Sequence, residues 1–128
     1  MKIIVLVIFI LFCFPANSDE GMDGIYYCTE QNLTGISGNT GKVTKFLIRK
    51  FILKLKKSTI ELRGDGDFPA LKFGSDPRDT VNINTKNKWL YADSWAIFNT
   101  FKLEDSKFTL LTSSNEEYLI STGTCLKW

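Results

Sequence analysis

Two cysteines carry the plainest chemistry in this 128-residue chain. Of the three present, Cys13 lies in an apolar run near the N-terminus, which leaves Cys28 and Cys125 with only each other. In an oxidising compartment such a pair forms a disulfide, here between positions 97 residues apart. Histidine is absent. That removes the commonest general base and the commonest zinc ligand, and it excludes nucleophile systems built on Ser–His or Cys–His. Carboxylates remain for acid–base work as Asp65 with Asp67 and Glu116 with Glu117. Both pairs sit in turn-like sequence where water solvates them, so no catalytic residue and no metal site is assigned. The expectation is a non-enzymatic protein without a cofactor.

Three other constellations bear on binding. Arg63-Gly64-Asp65 resembles, in those three residues, the tripeptide that integrin-binding adhesive proteins and disintegrins display on loops. A guanidinium and a carboxylate spaced by glycine can reach a partner acid and a partner-bound cation together. Asn32-Leu33-Thr34 is an N-glycosylation sequon, with Asn32 as acceptor in an exported chain. Trp89, Tyr91 and Trp95 form an aromatic group. Residues two apart share a strand face, and a turn at Asp93-Ser94 brings Trp95 opposite, so the three are candidates to line an apolar pocket.

The elements that must position these groups begin after residue 18. Met1 to Ser18 has one early cation, an apolar run from Ile3 to Phe14 and a small-residue exit at Ala16-Asn17-Ser18. This is the layout of a secretory signal peptide, so residues 19–128 are expected to form one secreted, monomeric domain. Fifteen of the sixteen cations follow that segment, against fourteen acids, a net of +1. The distribution is uneven: Lys42 to Lys57 holds seven cations and no acid. Lys45, Arg49, Lys50, Lys54, Lys56 and Lys57 are its candidate basic face, suited to an anionic surface.

That stretch fits two periods. On a helical wheel it is amphipathic and cationic, the form of a membrane-active segment. As a strand, Arg49, Phe51, Leu53 and Leu55 share one face and Lys50, Ile52, Lys54 and Lys56 the other. Thr59 to Arg63 then alternates as a return arm would. Shifting Phe51–Leu62 by 48 positions onto Asn99–Leu110 superposes Lys54 on Lys102, Leu55 on Leu103, Ser58 on Ser106 and Leu62 on Leu110. The strand reading therefore prevails, with a long first arm, a turn at Lys56-Lys57, and a second hairpin turning near Asp105-Ser106.

Elsewhere, Gly24 to Thr29 reads as the first strand and Gln31 to Gly41 as a loop. Short alternating runs follow at Ala70–Phe73, Thr80–Asn84, Lys88–Tyr91, Ser94–Leu103, Lys107–Thr112 and Tyr118–Leu126. About eight strands at this spacing predict an all-β domain, a small antiparallel β-barrel or β-sandwich, with the disulfide joining first strand to last. Gly24-Ile25-Tyr26-Tyr27 resembles the Gly-x-Trp opening of the lipocalin first strand, with Tyr26 in place of tryptophan. The resemblance is one of architecture and implies a barrel; a small apolar ligand is what the aromatic group of Trp89, Tyr91 and Trp95 would hold. The expected partner is such a ligand or an extracellular protein or receptor; a membrane surface is the further alternative, and nucleic acid is not expected.

Overall fold

A computed structural model describes residues 21–66, 68–96, 98–114 and 116–128 of the chain. The expected signal segment, residues 1–18, and Asp67 lie outside the described residues. The strands are β1 (Gly24–Ser37), β2 (Val43–Lys45), β3 (Lys50–Lys56), β4 (Thr59–Gly64), β5 (Leu71–Phe73), β6 (Thr80–Asn84), β7 (Trp89–Asp93), β8 (Thr100–Glu104), β9 (Lys107–Ser114) and β10 (Glu117–Lys127). Nine of them pair in the order β5-β4-β3-β1-β10-β9-β8-β7-β6, and β2 adds to β1 beside that path. The result is an all-β, nearly closed antiparallel barrel. Of the two expected architectures, barrel and sandwich, the chain adopts the first.

The 48-residue correspondence is a structural one. β3–β4 and β8–β9 are both two-residue hairpins, since Lys56 pairs with Thr59 and Glu104 with Lys107. Their turn residues, Lys57-Ser58 and Asp105-Ser106, lie 48 positions apart and all have positive φ, between 47° and 64°. This is the left-handed two-residue link whose twist matches that of the flanking strands. The first turn falls one residue beyond the expected Lys56-Lys57. The inward positions also correspond: Leu53 with Phe101, Leu55 with Leu103, Ile60 with Phe108 and Leu62 with Leu110, all buried.

The two hairpins meet across the interior. Phe51 lies edge-on to Phe108 at 5.0 Å and to Phe101 at 6.5 Å between ring centroids, and it stacks on Phe68 at 4.6 Å. Phe73, Leu90 and Ala92 complete the packing from the remaining strands. Tyr26 and Met22 lie at the end of the barrel where β1 begins, and the Tyr26 hydroxyl donates to the Met22 carbonyl at 2.5 Å. Burial first, and the neighbouring Asp23 carboxylate second, push the phenol's pKa up. Cys28 and Cys125 face each other across the β1–β10 ladder, bonded and buried, as the sequence implies.

Two expectations are corrected. Gln31–Gly41 is not a loop throughout, because β1 continues to Ser37 with β10 on one side and β2 on the other. Those neighbours supply hydrogen-bond partners that no local sequence signal announces. Lys42–Lys57 is not a single long strand either. It runs antiparallel to β1 in two pieces, β2 and β3, separated by an arch at residues 46–49. The longest strand is β1.

Candidate functional site

The arch exists because both strands break at the same place. Register between β1 and β10 slips between Glu30 and Asn32, and such a bulge re-aims side chains. The Glu30 amide donates to the Arg49 carbonyl at 2.9 Å, and the Phe46 amide donates to the Leu33 carbonyl at 2.9 Å. Between these two ties, residues 46–49 leave the ladder. Arg49 thereby keeps the inward phase of Phe51, Leu53 and Leu55.

Glu30, on the inward phase of Tyr26 and Cys28, is fully buried. Its Oε1 accepts from the Arg49 backbone amide at 2.7 Å and from Arg49 Nε at 2.8 Å; its Oε2 accepts from Arg49 Nη2 at 3.0 Å and from the Ser121 hydroxyl. A buried carboxylate is tolerable only when paired and fully hydrogen-bonded, and here both oxygens are doubly engaged. The guanidinium also lies 4.9 Å from the centroid of the Phe68 ring, a cation–π contact. Phe68, Arg49 and Glu30 thus occupy the end of the barrel opposite Tyr26.

Outside them lies a cleft of ≈ 680 Å³. At this end β1, β9 and β10 run on past their neighbours β3 and β8, giving the cleft a wall on the inner face of the extension. Leu33 and Leu119 line that wall, while Phe46, Leu47 and Ile48 of the arch close over it. Four charged residues also line it: Arg49, Lys50 and Asp65 on the side where β3 pairs with β4, and Glu117 beside Gly35 and the Phe46 ring. Gly35 makes room for the arch, since a Cβ there would stand 2.6 Å from the Phe46 ring and closer still to the Glu117 carboxylate. The arrangement suits holding an apolar group beside mixed charge. Among the described residues no cluster of His, Cys, Asp or Glu could hold a metal.

The aromatic trio does not line this cleft. Trp89 and Tyr91 alternate with buried Leu90 and Ala92, which places them on the outer face of β7. Trp95 is exposed in a clasp with the connection between β5 and β6, the two edges of the sheet. Its Nε1 donates to Asp76 Oδ2 at 3.0 Å, its backbone amide donates to Asp79 Oδ1 at 3.2 Å, and the Arg78 guanidinium lies 3.3 Å from its ring centroid. Asp79 Oδ2 also accepts from the Gly74 amide at 3.0 Å.

Hydrogen bonds from Arg78, first through its side chain and then through its backbone amide, hold the Asp76 carboxyl well below the usual carboxylate range; Trp95 adds a further one. A depressed native pKa means that the carboxylate's contribution is complete above the unfolded value and fades only as pH falls through the native one. The Trp95 indole N–H resonance is therefore expected to keep its position at about pH 3, where an unperturbed Asp is largely protonated. Asp76→Asn should move it already at neutral pH. Ordinary carboxylate titration of that resonance near pH 4 would contradict the clasp.

The remaining candidates are distributed as follows. Arg63 and Gly64 belong to β4, with Arg63 Nε 2.8 Å from Glu61 Oε1, and Asp65 follows the strand and lines the cleft. Asn32 is exposed at the bulge, with the sequon threonine, Thr34, further along β1. Lys50, Lys54 and Lys56 project outward from β3, Lys45 is exposed on β2 and Lys57 sits in the turn. Arg49 departs from this basic face, since its side chain is only 15% exposed and is bound to Glu30. Glu30, Ser121 and the arch were not singled out by sequence. No protein-family model matches the chain, and no curated protein or solved structure matches it.

Proposed function

We propose that this domain is an exported, non-enzymatic binding module that takes a small apolar or amphipathic ligand in the cleft beside Arg49. The observation that carries this reading is the cleft itself, ≈ 680 Å³, lined by apolar Leu33, Phe46 and Leu119 together with four charged residues, Arg49, Lys50, Asp65 and Glu117. Ligand sites share that form: concave, mainly apolar, of about 300–1,000 Å³, with a few polar groups to orient the guest. Export accords with the Cys28–Cys125 disulfide, and exposed Asn32 is the acceptor position should the pathway glycosylate. In this reading the ligand sits at the end of a filled barrel, and the site is Leu33, Phe46 and Leu119 instead of Trp89, Tyr91 and Trp95.

The test is titration with a fluorescent fatty acid. The native chain should bind it saturably, and Leu119→Trp, which fills the cleft from its wall, should weaken binding about tenfold or more, the equivalent of about 1.4 kcal/mol. Equal affinity in the two proteins, or no binding by the native chain, would sink the proposal.

A further inference from the structure

The arch that closes over the cleft, together with the strand β2 that leads into it, carries a group of strongly exposed apolar side chains. Leu47 is 91% exposed, Val43 60%, Ile48 57% and Phe46 41%. Residues 42–50 contain no acid, and Lys42, Lys45 and Lys50 are exposed among these apolar side chains. None of the three lysines forms an ion pair among the described residues. Three consecutive apolar residues held out to water by backbone ties at Phe46 and Arg49 are not a packing accident of a floppy end. They are presented by the same double break that seats Glu30.

What covers such a segment must accept apolar side chains and carry negative charge around them. A second copy of this chain does not suit, because a two-fold contact through the arch places lysines against lysines. An anionic bilayer does: apolar tips enter the acyl boundary while lysines meet headgroups, as in interfacial segments generally. We propose that residues 42–50 dock the domain on an anionic phospholipid surface. The docking element is an arch between two strands, not the cationic helix that the same residues suggest on a wheel. Resting on the binding reading above, it brings the cleft mouth to the bilayer, from which an acyl chain can enter the space lined by Phe46 and Leu119.

The experiment is co-sedimentation of the full domain with phosphatidylcholine vesicles, with and without phosphatidylglycerol, run beside the soluble fatty-acid titration. The native chain should sediment with the anionic vesicles, and added salt should release it. Leu47→Asp should lower the partition coefficient about tenfold or more. Lys42→Ala and Lys45→Ala, neither of which lines the cleft, should each lower it about fivefold while leaving the fatty-acid affinity unchanged. Leu119→Trp should do the reverse, losing the fatty acid and keeping the vesicles. The docking proposal fails if the native chain ignores anionic vesicles or if Leu47→Asp sediments like the native chain. It fails equally if sedimentation velocity without lipid shows a dimer that Leu47→Asp disperses, since the arch is then a self-contact. Loss of fatty-acid binding alone overturns the cleft and leaves docking standing.

Discussion

Glu30→Ala is expected to destabilise the domain by about 3–5 kcal/mol, because it strands the Arg49 guanidinium with little access to water. The whole stability of a domain of this size is of order 5–15 kcal/mol, so this single change removes a large part of it. Three of the four hydrogen bonds to the carboxylate come from Arg49, and the fourth from Ser121. Without the carboxylate, the guanidinium keeps the Phe68 ring, and the arch loses the side-chain part of its anchor at the Arg49 end while the backbone tie to residue 30 remains. The urea midpoint should fall accordingly, and the melting temperature by about 12 °C or more. Removing both charges, as Glu30→Ala with Arg49→Met, should recover most of the loss, since replacing a buried ion pair with apolar groups is often close to neutral. Ser121→Ala removes one donor and should cost only about 1 kcal/mol. A Glu30→Ala variant within about 1 kcal/mol of the native protein would show that solvent reaches the pair and that it does not organise this end of the barrel.

The pair also marks how far the sequence could be read. Strand alternation places Arg49 in phase with Phe51, Leu53 and Leu55, and it places Glu30 in phase with Tyr26 and Cys28. A cation and an acid each on a core face call for one another. The signal was therefore present, but Glu30 lies at the edge of a Gly-, Asn- and Ser-rich segment that reads locally as loop, so its phase carried no weight. The β1 extension was illegible for a related reason: Leu33 and Gly35 are buried only because β2, β10 and Phe46 come to them. Those partners are distant in sequence, and sheet propensity depends on such context.

What was legible rested on local chemistry and elimination. The hairpins could be read because alternation on both arms and a short polar turn between them are local signals, repeated 48 residues apart. The disulfide followed because two cysteines remain once Cys13 is set aside. The aromatic trio was harder, since period-2 spacing fixes that Trp89 and Tyr91 share a face but not which face it is. Leu90 and Ala92 took the inner one. The interior is packed with Phe51, Phe101 and Phe108, and Trp89 and Tyr91 lie on the outer face of β7 while Trp95 serves the clasp.

Removing the disulfide, as Cys28→Ala with Cys125→Ala, is expected to cost about 4–5 kcal/mol, the chain-entropy value for so long a loop. The bond joins residues 97 apart, so the unlinked chain gains nearly its full freedom when unfolded. Its position adds a second consequence. β1 and β10 are the adjoining strands through which β3-β4-β5 on one side meets β9-β8-β7-β6 on the other. Cys28 and Cys125 stand opposite each other in the ladder that joins these two groups of strands. Without the bond, amides of Tyr26, Thr29 and Thr124 should exchange well before those of the hairpin residues Leu53 and Phe108. In the native protein, exchange at both places should track global unfolding. Phe51 packs beside Cys28 in the register, so the buried aromatic cluster should survive the substitution, and near-ultraviolet circular dichroism should stay close to native below the unfolding temperature. An unchanged denaturation midpoint after the double substitution would mean that the unfolded chain is already held compact by other contacts. In that case the Phe51–Phe101–Phe108 cluster, linking the two repeated hairpins, would be the element that keeps the barrel shut.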